Sequence, residues 1–209
     1  MKFKKLFEPL MIGTMEVKNR IVMAPMSTHL VKDGFVTEQM KAYYVERAKG
    51  GAGMVTVEDA IVQSPLGHHV IHPLLITDDK YISGLKDLAI ALKSHGVRAV
   101  LHISHGGRRA GRVEAATGLV EATRGAIPIA PSMIAHPAPG FLVPRELTIE
   151  EIEELVELFA QAAVRVRKAG FDAIQLHCAH MYLLGEFLSP LSNTRQDKYG
   201  GDFEGRFTF

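Results

Sequence analysis

The sequence predicts an α/β fold built on parallel strands, and two observations support this. Short apolar runs alternate with longer amphipathic segments, in the order strand, helix, strand. The apolar runs are nearly continuous rather than alternating, as in strands that helices cover on both faces. With 209 residues, 47% hydrophobic residues and a net charge of +1, the chain has the composition of a globular domain.

Seven elements are predicted, and most have a local signal. In chain order they are strand 20–26, helix 37–49, strand 53–57, helix 78–95, strand 97–103, helix 148–168 and strand 171–177. Pro25 closes the first strand, and Gly50-Gly51 ends the first helix as a glycine cap. The second helix has an apolar face and stops at Gly96. Thr148 and Glu151 have the spacing of a capping box at the start of the third helix.

The amino-acid composition and the positions of the prolines exclude several classes of protein. Cys178 is the single cysteine, so no intrachain disulfide forms, which fits a reducing, cytoplasmic setting. Balanced charge argues against nucleic-acid binding. Residues 125–144 are uncharged, but five prolines rule out a continuous membrane-spanning helix there and predict a long ordered loop. No membrane segment or signal peptide is therefore expected.

The positions of polar residues favour a barrel over an open sheet. The first strand lacks the Gly-x-Gly-x-x-Gly turn of a dinucleotide-binding sheet, and no Walker loop is present. Polar residues instead follow the strands, namely Ser27, Thr28, Glu58, Asp59, His102, His105, His177, His180 and Tyr182. Functional residues at the carboxyl ends of successive parallel strands are typical of a (β/α)₈ barrel. Only four strand–helix units are present, so about half of such a barrel is expected.

Two histidine pairs, His102/His105 and His177/His180, are the main candidates for chemistry, and three interpretations remain open. They are satisfied structural histidines, metal ligands, or N–H donors to a developing oxyanion. Tyr182 adjoins the second pair. With a pKa near 10 it keeps its proton at neutral pH, which suits a general acid, although a buried tyrosine with a satisfied hydroxyl is equally compatible.

Three arginines follow the Gly106-Gly107 pair, at positions 108, 109 and 112. Arginine forms paired hydrogen bonds with carboxylates and phosphates, so these side chains could contact an anionic substrate tail or a phosphate. A solvated loop face explains the same residues at least as well.

Several motifs together resemble the Old Yellow Enzyme family of NADH:flavin oxidoreductases, and they cover the whole chain in order. They are Asn19-Arg-Ile-Val-Met-Ala-Pro-Met26, Tyr44-Val-Glu-Arg-Ala-Lys-Gly-Gly-Ala-Gly53, His105-Gly-Gly-Arg108, Glu146-Leu-Thr-Ile-Glu-Glu-Ile152, Ala169-Gly-Phe-Asp172, His177-x-x-His-x-Tyr-Leu-Leu184 and Phe187-Leu-Ser-Pro-Leu-Ser-Asn-x-Arg-x-Asp-x-Tyr-Gly-Gly201. The branch with bacterial enoate and 2,4-dienoyl-CoA reductases is the most similar.

The resemblance implies an FMN-binding (β/α)₈ barrel that reduces the C=C bond of α,β-unsaturated carbonyl compounds with NADH or NADPH. It implies that the cofactor contacts Pro25, Met26, Ser27, Thr28, Asp59 and His102. It also implies that His177 and His180 hold the substrate carbonyl oxygen and that Tyr182 donates the proton. Six positions depart from the family pattern. His102 replaces a glutamine, Asp59 a small residue, and Cys178 and Met181 glycines, and Gly205 and Thr208 alter the end of the Tyr-Gly-Gly segment.

Length is the largest departure, because the chain resembles only the N-terminal part of one FMN-binding barrel domain, over residues 1–209. An iron–sulfur cluster could occur only in a missing C-terminal part. We expect weak FMN binding by this chain alone, and a homo-oligomer or pairing with a missing half. The alternatives are a metal-dependent barrel hydrolase that uses the histidine pairs and a non-catalytic half barrel.

Overall fold

The computed structural model describes residues 3–115, 118, 120 and 122–209, which divide into two compact units. Unit 1 consists of Met1–Ala60, Leu74–Ile103 and Ala162–Gln175. Unit 2 consists of Ile61–Pro73, Ser104–Gln161 and Leu176–Phe209. No helix in the described ranges is both long enough and apolar enough to cross a membrane.

The described chain forms nine short strands and five α-helices. The strands are β1 (Leu10–Ile12), β2 (Met15–Val17), β3 (Val22–Met23), β4 (Met54–Ile61), β5 (Leu74–Leu75), β6 (Arg98–Ser104), β7 (Ile129–Ala130), β8 (Arg145–Glu146) and β9 (Ala173–Leu176). The helices are α1 (Glu38–Lys49), α2 (Ile82–Lys93), α3 (Ile149–Lys168), α4 (Leu183–Leu188) and α5 (Phe203–Arg206). All seven predicted elements are present, with shifted ends.

The main sheet has the strand order β3-β4-β6-β9, and β5 adds to β4. β3 and β4 are parallel, with Val22 opposite Met54. Backbone bonds join the start of β6 to the residue before β4 (Arg98 N to Gly53 O, 2.9 Å) and to the residue before β9 (Asp172 N to Ala99 O, 2.8 Å). Strands that are joined start to start run in one direction, as the sequence predicts.

Burial differs between inner and outer strands of this sheet. β4 and β6 are almost entirely buried, whereas Val22 in β3 is 47% exposed and Leu176 in β9 is 53% exposed. The expectation that every strand is covered on both faces is therefore wrong for β3 and β9. Each stands at an end of the strand order that the structure describes and so has one neighbouring strand.

Local signals set the helix ends. The Thr37 hydroxyl accepts the Met40 N–H at the start of α1 (3.1 Å). α2 begins later than predicted, because residues 79–81 form a 3₁₀ turn. Its predicted apolar face is buried, namely Leu85, Leu88, Ala89 and Leu92. The capping box of α3 is complete: the Glu151 N–H donates to the Thr148 hydroxyl (3.2 Å), and the Thr148 N–H donates to the Glu151 carboxylate (2.9 Å).

The apolar core of unit 2 joins the first turns of α3 to α4 and the chain after it. Its buried members are Ile129, Leu147, Ile152, Leu155, Leu183, Phe187 and Tyr199. The predicted loop over residues 125–144 is mostly irregular. The two residues of β7 within it pair in parallel with β8, a short pairing that the proline-rich sequence does not indicate.

Candidate active site

The polar residues of β4 form one group of candidate residues, in unit 1. Glu58 and Asp59 lie within β4 rather than after it, because the strand continues to Ile61. The Glu58 carboxylate accepts the Thr28 backbone N–H (2.8 Å), and the Tyr44 hydroxyl lies 3.4 Å from the same oxygen. Tyr44 in turn accepts the Glu58 backbone N–H (2.7 Å). The loop after β3 is thereby fixed to β4.

Burial controls the ionisation of this pair. Glu58 is 4% exposed, and desolvation raises the pKa of its carboxyl, an effect that the hydrogen bonds from Thr28 partly oppose. The pKa of Tyr44 is also raised, first by burial and then by the charge of Glu58. Both groups therefore favour their protonated forms, which suits a structural hydrogen-bond network.

The predicted cofactor residues of unit 1 are partly brought together. The Ser27 hydroxyl donates to the Asp59 carboxylate (3.1 Å), next to the contact between Thr28 and Glu58. Met26 is 57% exposed and Pro25 is half-buried. His102 lies inside β6, not beyond it, and is 5% exposed.

The chemistry of these side chains fits the polar edge of a flavin ring. That edge has an N–H group between two carbonyl oxygens, so it needs both acceptors and donors. Asp59 offers a carboxylate, Ser27 a hydroxyl and His102 a ring nitrogen of either type. None of these three carries the fixed positive charge that would hold a flavin phosphate.

The turn after β9 holds a separate group of candidate residues, in unit 2. The ring nitrogens His180 Nδ1 and His177 Nε2 are 3.3 Å apart. The Tyr182 ring packs on His177, with ring centroids 4.2 Å apart. His180 and Met181 both have left-handed backbone, with φ of 54° and 60°. This turn brings the three predicted catalytic side chains of unit 2 together, and left-handed backbone at non-glycine residues carries strain.

A third imidazole, which the sequence does not single out, also belongs to this turn. The His69 ring packs on Tyr182 at a centroid distance of 4.6 Å. Its loop is held close to the chain after β6 by the bond from Gly106 N to Gly67 O (2.8 Å). A Cβ atom at Gly67 would lie 2.9 Å from the His105 ring, so this approach requires glycine. No local motif marks a contact between residues so far apart in sequence.

His105 is a satisfied structural histidine. Its Nδ1 accepts the Gly107 N–H (3.1 Å), so the proton is on Nε2, which donates to the Gln63 side-chain oxygen (2.9 Å). Burial lowers the pKa of His105 to about 3 and that of His68 to about 4, and the charge of Arg124 adds to the effect on His68. Neither His68 nitrogen has a partner within hydrogen-bond geometry in the described chain, although the Ala122 backbone weakly favours its charged form.

The arginines after Gly107 do not form one solvated face. Arg108 is 6% exposed, whereas Arg109 is half-buried and Arg112 is exposed. The interpretation as a solvated loop face, one of the two left open, therefore does not hold for Arg108. Its backbone N–H donates to Glu186 (3.0 Å), a residue 78 positions later in the chain. This bond joins the turn after β6 to α4, which contains Glu186.

Metal ligation has no geometric support in the described ranges. No group of three or more His, Cys, Asp or Glu side chains there is arranged to hold a metal ion. Asp172, the other carboxylate near the histidines in sequence, accepts the Ala99 N–H (2.9 Å) and pairs with Lys93 (3.2 Å).

Known proteins resemble the chain along nearly its whole length. It is 46% identical over 208 residues to NADH oxidase from Thermoanaerobacter brockii and 41% identical over 209 residues to NADPH dehydrogenase from Bacillus subtilis, in each case over 99% of this chain. The chain spans 31% of the first relative and 57% of the second.

A solved structure, morphinone reductase, matches with a TM-score of 0.85 and 31% identity, over 96% of this chain and 55% of that one. The predicted fold class, a (β/α)₈ barrel of which about the first four units are present, is confirmed. The NADH:flavin oxidoreductase / NADH oxidase family matches residues 5–209. The chain belongs to this family, which confirms the resemblance to Old Yellow Enzyme.

Proposed function

We propose that the chain is the N-terminal part of a single FMN-binding barrel domain, which uses NADH or NADPH to reduce the C=C bond of α,β-unsaturated carbonyl compounds. The observation that carries the proposal is the turn that groups His177, His180 and Tyr182. Family membership supports the flavin and nicotinamide chemistry. It also removes the basis for the alternative of a metal-dependent hydrolase.

The two histidines of the turn are suited to hold a carbonyl oxygen. Their facing nitrogens, His180 Nδ1 and His177 Nε2, are hydrogen-bonded to each other at 3.3 Å. A carbonyl oxygen that takes the place of this contact would accept an N–H from each ring, once both rings carry a proton on the facing nitrogen. Reduction of the alkene places negative charge on the carbonyl oxygen. Each donor aimed at that oxygen is worth about 3 kcal/mol of barrier.

Tyr182 is suited to supply the proton for the α-carbon. Its ring is fixed between His177 and His69, at centroid distances of 4.2 and 4.6 Å. A phenol keeps its proton at neutral pH, and an oriented general acid contributes about 10²- to 10⁴-fold in rate.

The polar groups of unit 1 are suited to hold the flavin. FMN, when bound, supplies the hydride that reduces the substrate. The segment Pro25–Thr28, Asp59 and His102 would bind its ring. The Ser27 hydroxyl donates to the Asp59 carboxylate (3.1 Å). A carboxylate beside the bound ring would disfavour negative charge on that ring, because like charges repel. We also propose a cytoplasmic setting, a small-molecule enone as substrate, and self-association or pairing with a further half as the route to a complete barrel.

An absorbance spectrum with added FMN tests this function. Two proteins are compared: the chain itself, and the chain fused after Phe209 to the segment that follows the matching region of the Bacillus subtilis relative. We expect flavin bands that NADPH bleaches and an enone restores, strongest in the fusion. Tyr182→Phe should slow the return with enone about 10²-fold or more and leave bleaching unchanged.

The outcomes separate the remaining alternatives. Flavin bands that no enone restores would contradict the proposed substrate class. Failure of the fusion to bind flavin would contradict the cofactor role of the unit 1 residues and favour a non-catalytic half barrel. Tyr43→Phe, at a half-buried tyrosine on α1, is the matched control and should leave both steps unchanged.

A further inference from the structure

The turn after β6 contains a buried cation that the proposed reaction does not use. The Arg108 side chain is 8% exposed. Its Nη1 donates to the carbonyl oxygens of Ile134 (3.2 Å) and Ala135 (3.3 Å). Nε is buried and has no hydrogen-bond partner among the residues that the structure describes. A charged donor in this state is costly unless a ligand or counter-ion meets it.

Glu186 is a poor counter-ion for this arginine. Its Oε1 is 4.0 Å from Arg108 Nε and accepts the Arg108 backbone N–H instead (3.0 Å). Oε2 has no partner within hydrogen-bond geometry in the described chain. Burial raises the pKa of the Glu186 carboxyl well above its usual range, although the charge of Arg108 acts in the opposite direction. The raised pKa favours a neutral carboxylic acid. A neutral Glu186 leaves the Arg108 charge unbalanced.

A cavity of about 380 Å³ in unit 2 lies against the Arg108 side chain. This volume suits a small organic molecule. The lining residues are Arg108, Pro137, Cys178, Ala179, His180, Met181, Gly185, Ser189, Leu191 and Ser192. Arginine, histidine and two serines supply its polar side chains, and the lining contains no aspartate or glutamate.

The neighbouring residues strengthen the positive potential at this cavity. Arg109 Nη1 lies 3.4 Å from the ring nitrogen Nε2 of His136, the residue before Pro137. The pKa of His136 is lowered by burial and by the charges of Arg109 and Arg108. Two arginine charges therefore act on the segment that forms one wall of the cavity.

We propose that this cavity binds the anionic group of a small molecule, a carboxylate or a phosphate, with Arg108 as the counter-ion. Guanidinium groups bind both kinds of oxyanion with charge-assisted hydrogen bonds. A buried arginine beside a cavity without carboxylates is arranged for such a group. Because His180 also lines the cavity, the bound molecule would reach the turn of the candidate active site. The interpretation of the anion as part of the substrate rests on the proposed function, but anion binding itself does not.

The test is an NMR titration of the full chain with sodium phosphate and, separately, sodium propionate, at constant ionic strength. We expect saturable shifts of the amides of residues 178–181 and of Gly185, with either anion. Tighter binding of phosphate would indicate a phosphate-bearing ligand, and tighter binding of propionate a carboxylate. The titration needs neither flavin nor turnover, so its result is independent of the proposed reaction.

A charge placed at an exposed position of the cavity provides the decisive variant. Leu191 is 83% exposed, so its replacement leaves the core intact. Leu191→Glu should weaken anion binding at least about fivefold by repulsion, whereas the neutral control Leu191→Gln should bind like the unmodified chain. Arg108→Gln should abolish binding, and Glu186→Gln, which preserves a neutral side chain of the same shape, should retain it.

Two results would overturn the proposal. One is the absence of saturable shifts with both anions up to about 50 mM, far above the millimolar Kd of a weak site. The other is equal anion affinity in Leu191→Glu and Leu191→Gln. Arg108→Gln is informative only if its far-ultraviolet circular dichroism matches that of the unmodified chain, and the Leu191 pair decides the question if it does not.

Discussion

Glu58 in unit 1 and Glu186 in unit 2 are both almost fully buried, and burial raises the pKa of both carboxyls, yet their partners differ. Glu58 accepts the Thr28 N–H at 2.8 Å and has the Tyr44 hydroxyl at 3.4 Å. Oε1 of Glu186 accepts the Arg108 N–H at 3.0 Å. Its other oxygen, Oε2, and the nearby guanidinium nitrogen Nε of Arg108 are buried without a partner within hydrogen-bond geometry in the described chain.

The difference separates structural from ligand-binding polar groups more clearly than burial does. A network whose donors and acceptors are paired rigidifies the fold, and it has no unused hydrogen-bonding atom to bind a ligand. A buried arginine and carboxyl with unused hydrogen-bonding atoms keep the capacity to bind one, at a cost in stability. The network of Glu58, Thr28 and Tyr44 is of the first kind, and the pair of Arg108 and Glu186 is of the second.

Gly107→Ala should have the largest effect on this comparison, since it disturbs the Arg108 turn directly. A Cβ atom at Gly107 would lie 2.5 Å from both carboxylate oxygens of Glu186, and the residue has φ of +56°. Steric overlap and left-handed backbone together should lower the free energy of unfolding by about 3 kcal/mol, measured by urea denaturation. Gly140→Ala has left-handed backbone but open space around it, and should cost only about 1 kcal/mol. Equal losses would contradict the steric argument.

His68→Phe tests another incompletely satisfied group of unit 2, through the pH dependence of stability. The ring has a pKa near 6.5 when unfolded and about 4 when folded, so the unfolded state binds more protons between these values. The contribution of neutral His68 to the free energy of unfolding is complete above pH 6.5 and is lost as the pH falls toward 4. Relative to the unmodified chain, His68→Phe should gain about 2 kcal/mol between pH 7.5 and pH 5.

Urea midpoints at these two pH values measure that gain. Replacement of the exposed His72 by phenylalanine is the control, and it should leave the pH dependence unchanged. A pH dependence of His68→Phe equal to that of the unmodified chain would show that the His68 ring is protonated in the folded state.

Tyr44→Phe would turn the satisfied site of unit 1 into an unsatisfied one. The buried Glu58 N–H, which donates to the Tyr44 oxygen at 2.7 Å, would lose its acceptor. Such a loss should lower the free energy of unfolding by about 1.5 kcal/mol. Thermal unfolding measures it against Tyr43→Phe, for which we expect no change. Similar stabilities of the two variants would mean that water or a shifted carbonyl replaces the hydroxyl.

Met181→Gly should have the smallest effect, and in the opposite direction. Met181 is 45% exposed and has φ of 60°, a conformation that glycine adopts without steric cost. Relief of this strain, less the added chain entropy, should raise the free energy of unfolding by about 0.5 kcal/mol. A loss of stability would show that the packing of the methionine outweighs its backbone strain.

Sequence reasoning was most accurate where the physical cause is local. The capping box of Thr148 and Glu151 and the apolar face of α2 depend on residues within a few turns, and both were predicted correctly. The contact between Arg108 and Glu186 joins residues 78 apart, and that between His69 and Tyr182 joins two loops. Spacing alone carries no information about such pairs, because the folded backbone brings them together.

The rings of His69, Tyr182 and His177 also have a magnetic consequence. Tyr182 packs on both imidazoles, at centroid distances of 4.6 and 4.2 Å. Aromatic ring currents shield nuclei that lie over a neighbouring ring, so side-chain protons in this turn should resonate upfield of their usual positions. The turn proposed to meet substrate therefore provides its own reporter signal.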